Sequence, residues 1–465
     1  MSVKYYLLVL LLPVSLSILP NPYDKMDSIE AKLPQLRGVE HIKALLVLSE
    51  SYRNTAFNDC LKYGIKAAQL ANRENENDLE AQVYKSLGNS CYFHGELDMA
   101  NDYYRKGLRG FQGTNNLQGQ ANCLNNIGLI FEETSRFDSA QYYYQKSLDI
   151  ESQIGNKRGI GISLLQLGNL SYYRDELQNA LDNYYRAMLI FKDEYDSTSL
   201  ALSYNSMGII YREWSLFDKA LDYYQLAIPI LEQTGDDRSL SQVLTNLAEI
   251  YNFELKDYQK AKQFYDQSLR LKHKMNDKIG IALLNNNLGT LYANMKDTSN
   301  ALRHFKISKR LYEEFQGETG LVMVLYNMGS LFLDHHQYDR ALPYFLQSLK
   351  MAEEFQYVEF IRLNQVALMN SYAALGKYQL YQNYFKLAAL DKDSLIERLN
   401  VLQSRESEGK FRTEEVLEEA KKLQISNELK EAEIRKYKLM LAGISALVFF
   451  TLMGYALFTK LKKHP

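Results

Sequence analysis

Proline is scarce, at 7 of 465 residues. Proline removes a backbone donor and breaks helices, so its scarcity leaves most of the chain free to be helical. Neither sign of charge dominates: Lys plus Arg is 54 and Asp plus Glu is 56, a net charge of −2. Without a basic stripe, nucleic acid is not an expected partner. The motifs of a serine-hydrolase elbow, a phosphate-binding P-loop and an HisGluXaaXaaHis zinc site do not occur. The acidic residues fall mostly on exposed helix faces, so no catalytic residue and no cofactor is expected. The seven histidines are scattered. His335 and His336 fall in a turn, where they are expected to be solvated rather than to hold a metal, because no acidic or thiol partner recurs at ligand spacing.

What is present in quantity is a repeat. Ala201 to Leu240 reads as a helix, a short turn through Ser215 and a second helix. Gly208 sits within the first helix and Ala220 within the second. A glycine inside a helix costs about 1 kcal/mol against alanine, so it calls for a packing reason. The pair is expected to face each other and bring the two helices close. Stepping from Gly208 gives Leu48, Gly88, Gly128, Gly168, Ala248, Gly289, Gly329 and Met369, 40 residues apart except for 41 between Ala248 and Gly289. Stepping from Ala220 gives Cys60, Ala100, Ala140, Ala180, Ala261, Ala301, Ala341 and Tyr381. Four residues after most of these comes an aromatic: Tyr104, Tyr144, Tyr184, Tyr224, Tyr265, Phe305, Phe345 and Phe385. The one break in register is expected to be an extra residue in the turn within Asn252–Tyr258.

At these residues the chain resembles the tetratricopeptide repeat (TPR) family, over about Gly38 to Lys392. The family's usual period is 34, and 40 looks like a variant with longer helices. The resemblance implies an all-α fold, a right-handed superhelical solenoid of about nine 40-residue helix–turn–helix units. They lie near 41–80, 81–120, 121–160, 161–200, 201–240, 241–281, 282–321, 322–361 and 362–394. Leu48 and Cys60 in the first unit, and Met369 and Tyr381 in the ninth, mark atypical ends that close the hydrophobic stack. Cys60 takes a small-residue position. Cys91 takes a place held elsewhere by Phe131, Tyr211, Tyr251, Tyr292 and Phe332. Cys60, Cys91 and Cys123 therefore read as buried packing thiols. A Cys60–Cys91 disulfide stays open, since sequence does not show the geometry one requires.

The ends of the chain have a different texture. Residues 1–20 read as an export signal: one early lysine, an apolar run from Tyr5, and small residues at Ser15 and Ser17. From Leu395 to Tyr437 the pattern is that of a long charged helix, whose 4-3 spacing allows a coiled-coil homodimer. Leu439–Phe458 is 20 residues without a charge. At about 1.5 Å per residue it matches the hydrocarbon thickness of a bilayer, so a single C-terminal transmembrane helix is expected. Basic residues flank both of its ends and leave the orientation to the export signal. That signal puts the repeats outside the cytoplasm and residues 459–465 inside. This order is also similar to the sensor half of membrane-bound histidine kinases and regulators of Gram-negative bacteria, and it implies a single-pass inner-membrane protein with periplasmic repeats. The seven residues after the span hold no kinase or DNA-binding module.

The expected function is non-catalytic binding of a protein or peptide. In the third unit Leu124, Ile127, Gly128 and Phe131 define the packed face, and at about 100° per residue Asn125 and Asn126 point away from it. Asn205, Asn246, Asn286, Asn287 and Asn327 hold the same places. Stacked units would line them up on the concave surface, where amides that both donate and accept could grip an extended peptide. The resemblance points the same way, because asparagine ladders bind peptides in kinesin light chain and related TPR proteins. Two alternatives stay open: a sensor whose output module is on another chain, and a scaffold of an envelope complex.

Overall fold

The computed structural model describes residues 22–53 and 55–389. The export signal, the charged helix and the transmembrane segment expected from sequence lie outside them. Among the described residues no helix is long and apolar enough to cross a membrane.

Those residues form nineteen α-helices in a repeat solenoid. The chain divides into two compact bodies, one up to Ser206 and the other from Met207. The first opens with α1 (Pro22–Lys32) and a 3-10 turn. Its helix pairs are α2 (Gly38–Tyr52) with α3 (Phe57–Arg73), α4 (Asn77–Phe93) with α5 (Leu97–Gly113), α6 (Leu117–Glu133) with α7 (Phe137–Ile154), and α8 (Lys157–Tyr173) with α9 (Leu177–Asp193). The division falls inside α10 (Ser197–Glu213). The second body continues with α11 (Phe217–Thr234), α12 (Asp237–Glu249) with α13 (Tyr258–Lys274), and α14 (Lys278–Asn294) with α15 (Thr298–Glu314). It closes with α16 (Glu318–Asp334) and α17 (Tyr338–Glu354), then α18 (Val358–Ala374) and α19 (Tyr378–Ala389).

What lies nearest the glycines of the repeat is an aromatic ring, not the alanine expected from the sequence. A Cβ built on Gly88, Gly128 or Gly168 would lie 2.5–2.6 Å from the ring of Tyr104, Tyr144 or Tyr184. Gly208, Gly289 and Gly329 stand in the same relation to Tyr224, Phe305 and Phe345. Each glycine is therefore a seat for the aromatic of its own unit. The ring has to reach across the first helix, and a side chain there would occupy its volume. Those six rings, with Tyr265, are at most 3 % exposed. Several second helices add a buried serine that binds back to the first. Ser147 Oγ donates to Ala121 O, Ser268 Oγ to Ser241 O and Ser348 Oγ to Val322 O, at 2.9–3.0 Å.

The turns are uniform, and mostly not by means of glycine. A left-handed residue ends almost every helix, including Tyr195 (φ 56°), Ser215 (58°), Lys256 (54°), Gln316 (53°) and His336 (57°). The left-handed residue lets the last carbonyls of the helix find donors. Aspartates and an asparagine cap the helices that follow: Asp236, Asp257, Asp277, Asp297 and Asn116 each accept from the backbone N–H three residues on.

The 41-residue step is resolved differently from the expectation. The turn before α13 keeps its three residues, Leu255 to Asp257. The extra residue is absorbed into the preceding helix as a π-turn, Ile250–Glu254, closed by Leu255 N donating to Ile250 O at 3.0 Å. The turn is fixed by its left-handed residue and its cap, so the helix is the part that yields.

All three thiols are free and buried. Burial pushes the Cys91 thiol up to about 11 and the Cys123 thiol up to about 12, so neither is a reactive thiolate at neutral pH.

Candidate functional site

In each body the first helices of successive units lie against one another: α2, α4 and α6 in the first, α14, α16 and α18 in the second. The polar side chains picked out from the sequence stand on first helices of the units, on α6, α10, α12, α14 and α16. None of the seven asparagines is exposed. Asn125, Asn126, Asn205, Asn246, Asn287 and Asn327 are half-buried, and Asn286 is buried, at 3 %.

In the first body the row is a chain of side-chain hydrogen bonds. Asn126 Nδ2 donates to Asn89 Oδ1 at 3.1 Å, across two units. The same oxygen accepts from Tyr104 Oη at 2.9 Å. Two units on, Tyr184 Oη donates to Asn169 Oδ1 at 2.9 Å. The ring of each tyrosine passes over its glycine and brings the hydroxyl out on the first-helix face. Asn125 Oδ1 is buried there without a partner, and Asn205 is engaged by a neighbour. Toward the ends of the helices the row turns acidic. Tyr144 Oη donates to Glu132 at 2.6 Å and Tyr92 Oη to Glu133 at 2.9 Å. Burial raises the Glu132 carboxyl, with Glu133 adding to the rise and the bond from Tyr144 opposing it. Phe93 and Tyr173 stand exposed in the corresponding places of α4 and α8.

In the second body Asn327 Nδ2 donates to Asn286 Oδ1 at 2.9 Å, again between neighbouring first helices. Asn285, also buried, donates to Ile281 O at 2.8 Å and accepts from His304 Nδ1 at 2.9 Å. That acceptor places the imidazole proton on Nδ1, and burial lowers the His304 pKa, so the ring is neutral. Asn246 is held by a neighbour. At the π-turn, Asn252 is rotated into the core and accepts from Asn294 Nδ2 at 3.0 Å, leaving Phe253 exposed. Arg212 pairs with Glu249 at 2.8 Å beside a cleft of about 340 Å³ that Glu213, Phe217, Phe253 and Glu254 also line.

The sequence thus located the row but not its bonding. Asn286 does not face away from packing. Asn126 and Asn327 spend a donor on the neighbouring unit, because side chains at adjacent levels come within reach of each other. Asn89 and Asn169, one residue after their glycines, belong to the row and were missed. The signal was available: both precede by fifteen residues the tyrosine whose hydroxyl they accept. His335 is also not a solvated turn residue. Its Nδ1 lies 2.8 Å from Leu331 O and its Nε2 2.8 Å from Thr298 Oγ1. Among the described residues no group of three or more His, Cys, Asp or Glu is placed to hold a metal.

Models of the tetratricopeptide repeat match residues 121–154, 159–233, 217–274 and 280–354. Those segments are tetratricopeptide repeats. No curated protein matches the chain in sequence. Among solved structures, a Rap protein complexed with Competence and Sporulation Factor is similar, with a TM-score of 0.51 and 16 % identity over 72 % of this chain and 93 % of that one. Aspartyl phosphate phosphatase F from Bacillus subtilis gives a TM-score of 0.46 at 15 % identity, covering 62 % of this chain and 80 % of that one. The apo quorum sensor NprR from B. thuringiensis gives 0.47 at 15 %, covering 62 % and 81 %. At that identity the likeness to the Rap protein is one of fold.

Proposed function

We propose that this is a non-catalytic, membrane-anchored TPR protein that binds an extended segment of a protein or peptide along its first-helix face, outside the cytoplasm. The observation that carries the reading is the set of polar side chains on the first helices within each body. Amides and tyrosine hydroxyls are held in fixed orientations by bonds between units and flanked by exposed aromatics. An amide has two donors and two lone pairs. Asn126 and Asn327 each use one donor on a neighbour and retain capacity for a peptide backbone. Pre-orientation lowers the entropy lost on binding. The Rap protein of similar fold holds a separate factor in its solved complex. The anchor rests on the uncharged 20-residue run Leu439–Phe458, and the location on the apolar start of the chain.

A photo-crosslinking residue placed at Asn287, on α14, tests the reading against one at Leu346, exposed on α17. With the full chain in its native membrane, adducts are expected from position 287 and not from 346. Adducts from 346 alone would place the partner on the other face.

A further inference from the structure

The residue gained in the 41-residue step reshapes a cleft. Ser215 and Lys256, the left-handed residues that end the first helices of their units, are 41 apart. Counted back from them, Glu254 takes the place of Glu213, and Phe253 takes that of Arg212. Counted forward from Gly208 and Ala248, which are 40 apart, Tyr251 takes the place of Tyr211. The residue gained is thus Asn252, which is buried in the π-turn, and the Phe253 ring beside it is left 49 % exposed. That ring and half-buried Phe217 form the apolar part of the cleft of about 340 Å³, and Arg212, Glu213, Glu249 and Glu254 supply its charges. Clefts that take small ligands run from about 300 to 1,000 Å³, so this one has room for a single side chain.

The charge of the cleft is one-sided. Arg212 is the only basic residue of its lining among the described residues. It is held by Glu249 at 2.8 Å and lies 3.5 Å from Glu213. Glu254, exposed at the rim, enters no ion pair among the described residues. Three carboxylates face one guanidinium, so negative charge is in excess. A cation on an apolar stem fits such a wall: its charge is drawn to the carboxylates and to the ring face, and its methylenes pack on the ring. An anion would be repelled, and a neutral group would leave the carboxylates unpaired. Glu249 stands one turn beyond Asn246 on α12, which puts the cleft at the end of that helix's part of the asparagine row. We propose that the cleft holds the side chain of one arginine or lysine of the segment bound along the first-helix face. The segment rests on the function proposed above; the charge preference of the cleft does not.

The test uses the full chain in detergent. The probes are N-acetyl-arginine amide and its neutral isostere N-acetyl-citrulline amide, with binding followed by isothermal titration calorimetry. Saturable binding of the arginine compound is expected, about tenfold or more tighter than that of the citrulline compound. Glu213→Gln with Glu254→Gln should remove most of that preference and leave the circular dichroism unchanged. No saturable binding of the arginine compound, equal binding of the two probes, or a preference that survives in the double variant would overturn the proposal. In the native membrane, a photo-crosslinking phenylalanine derivative at Phe253 should give the same partner adduct as the crosslinker at Asn287. Adducts at 287 with none at 253 would overturn the proposal and leave the proposed function standing. Adducts at neither position would refute the segment itself, a failure that the probes, which need no segment, keep apart from that of the cleft.

Discussion

Replacing Gly128 by alanine separates two effects that oppose each other. Alanine is the better helix former by about 1 kcal/mol. Its Cβ, however, would lie 2.6 Å from Cδ1 and Cε1 of Tyr144, a ring with no freedom to move, since it is fully buried and its hydroxyl is bonded to Glu132 at 2.6 Å. Overpacking of this kind costs about 1–3 kcal/mol, so the net effect of Gly128→Ala is a loss of about 0–2 kcal/mol. The sign should reverse once the ring is gone. In a Tyr144→Ala background only the helix preference remains, and Gly128→Ala should stabilise by about 1 kcal/mol. The coupling between the two positions is then about 1–3 kcal/mol. Native-state hydrogen exchange of the α6 and α7 amides reads this locally, as suits a repeat protein whose units open separately. If Gly128→Ala has the same effect in both backgrounds, the glycine is not the seat of the tyrosine ring.

Three further outcomes are expected. Tyr195, 90 % exposed and left-handed at φ 56°, should accept glycine with a gain of about 0.5–1 kcal/mol, the strain relieved minus glycine's extra chain entropy; a loss in thermal melting would mean that the side chain is needed. At Asp277 burial raises the carboxyl, but Lys272 and the Gly280 N–H outweigh it and hold the pKa below its ordinary value; the caps Asp257 and Asp297 are lowered first by their backbone N–H bonds. A lowered carboxyl contributes stability that is present above the unfolded pKa, about 3.9, and is lost as pH falls through the folded value, so the melting temperature should drop below about pH 4 and drop less in Asp277→Asn, an equal drop in that variant counting against the cap. A reporter active only in the cytoplasm, fused after Asp391, should be silent, and activity there would refute the location outside the cytoplasm.

Much of the fold is written in spacing. The 40-residue step fixes which residues share a helix face, and Gly128, Ala140 and Tyr144 were legible as one packed group. Their partners were not: Gly128 seats Tyr144 rather than Ala140, because the length of a side chain decides what it reaches and spacing does not encode that. The π-turn at Ile250–Glu254 was misplaced into the loop for a related reason. An added residue shows in the period, but whether helix or turn absorbs it depends on which is stiffer, and the turn is locked by Lys256 and Asp257. In the candidate site the asparagine row was legible as position and polarity. The bond between Asn327 and Asn286 joins side chains from two units, a distance no single-unit pattern contains.

The central claim, that the first-helix face of these TPR units binds a partner through its amide row, is tested most directly by the triple variant Asn246→Ala, Asn287→Ala and Asn327→Ala. Each neutral hydrogen bond lost to a partner weakens binding by about 0.5–1.5 kcal/mol, so three predict about 1.5–4.5 kcal/mol if they add. The measurement is the affinity of the full chain for the partner crosslinked at position 287, with helical content followed by circular dichroism. The account predicts a folded variant with binding weakened roughly 10- to 2,000-fold. A folded variant that binds as tightly as the parent would contradict it.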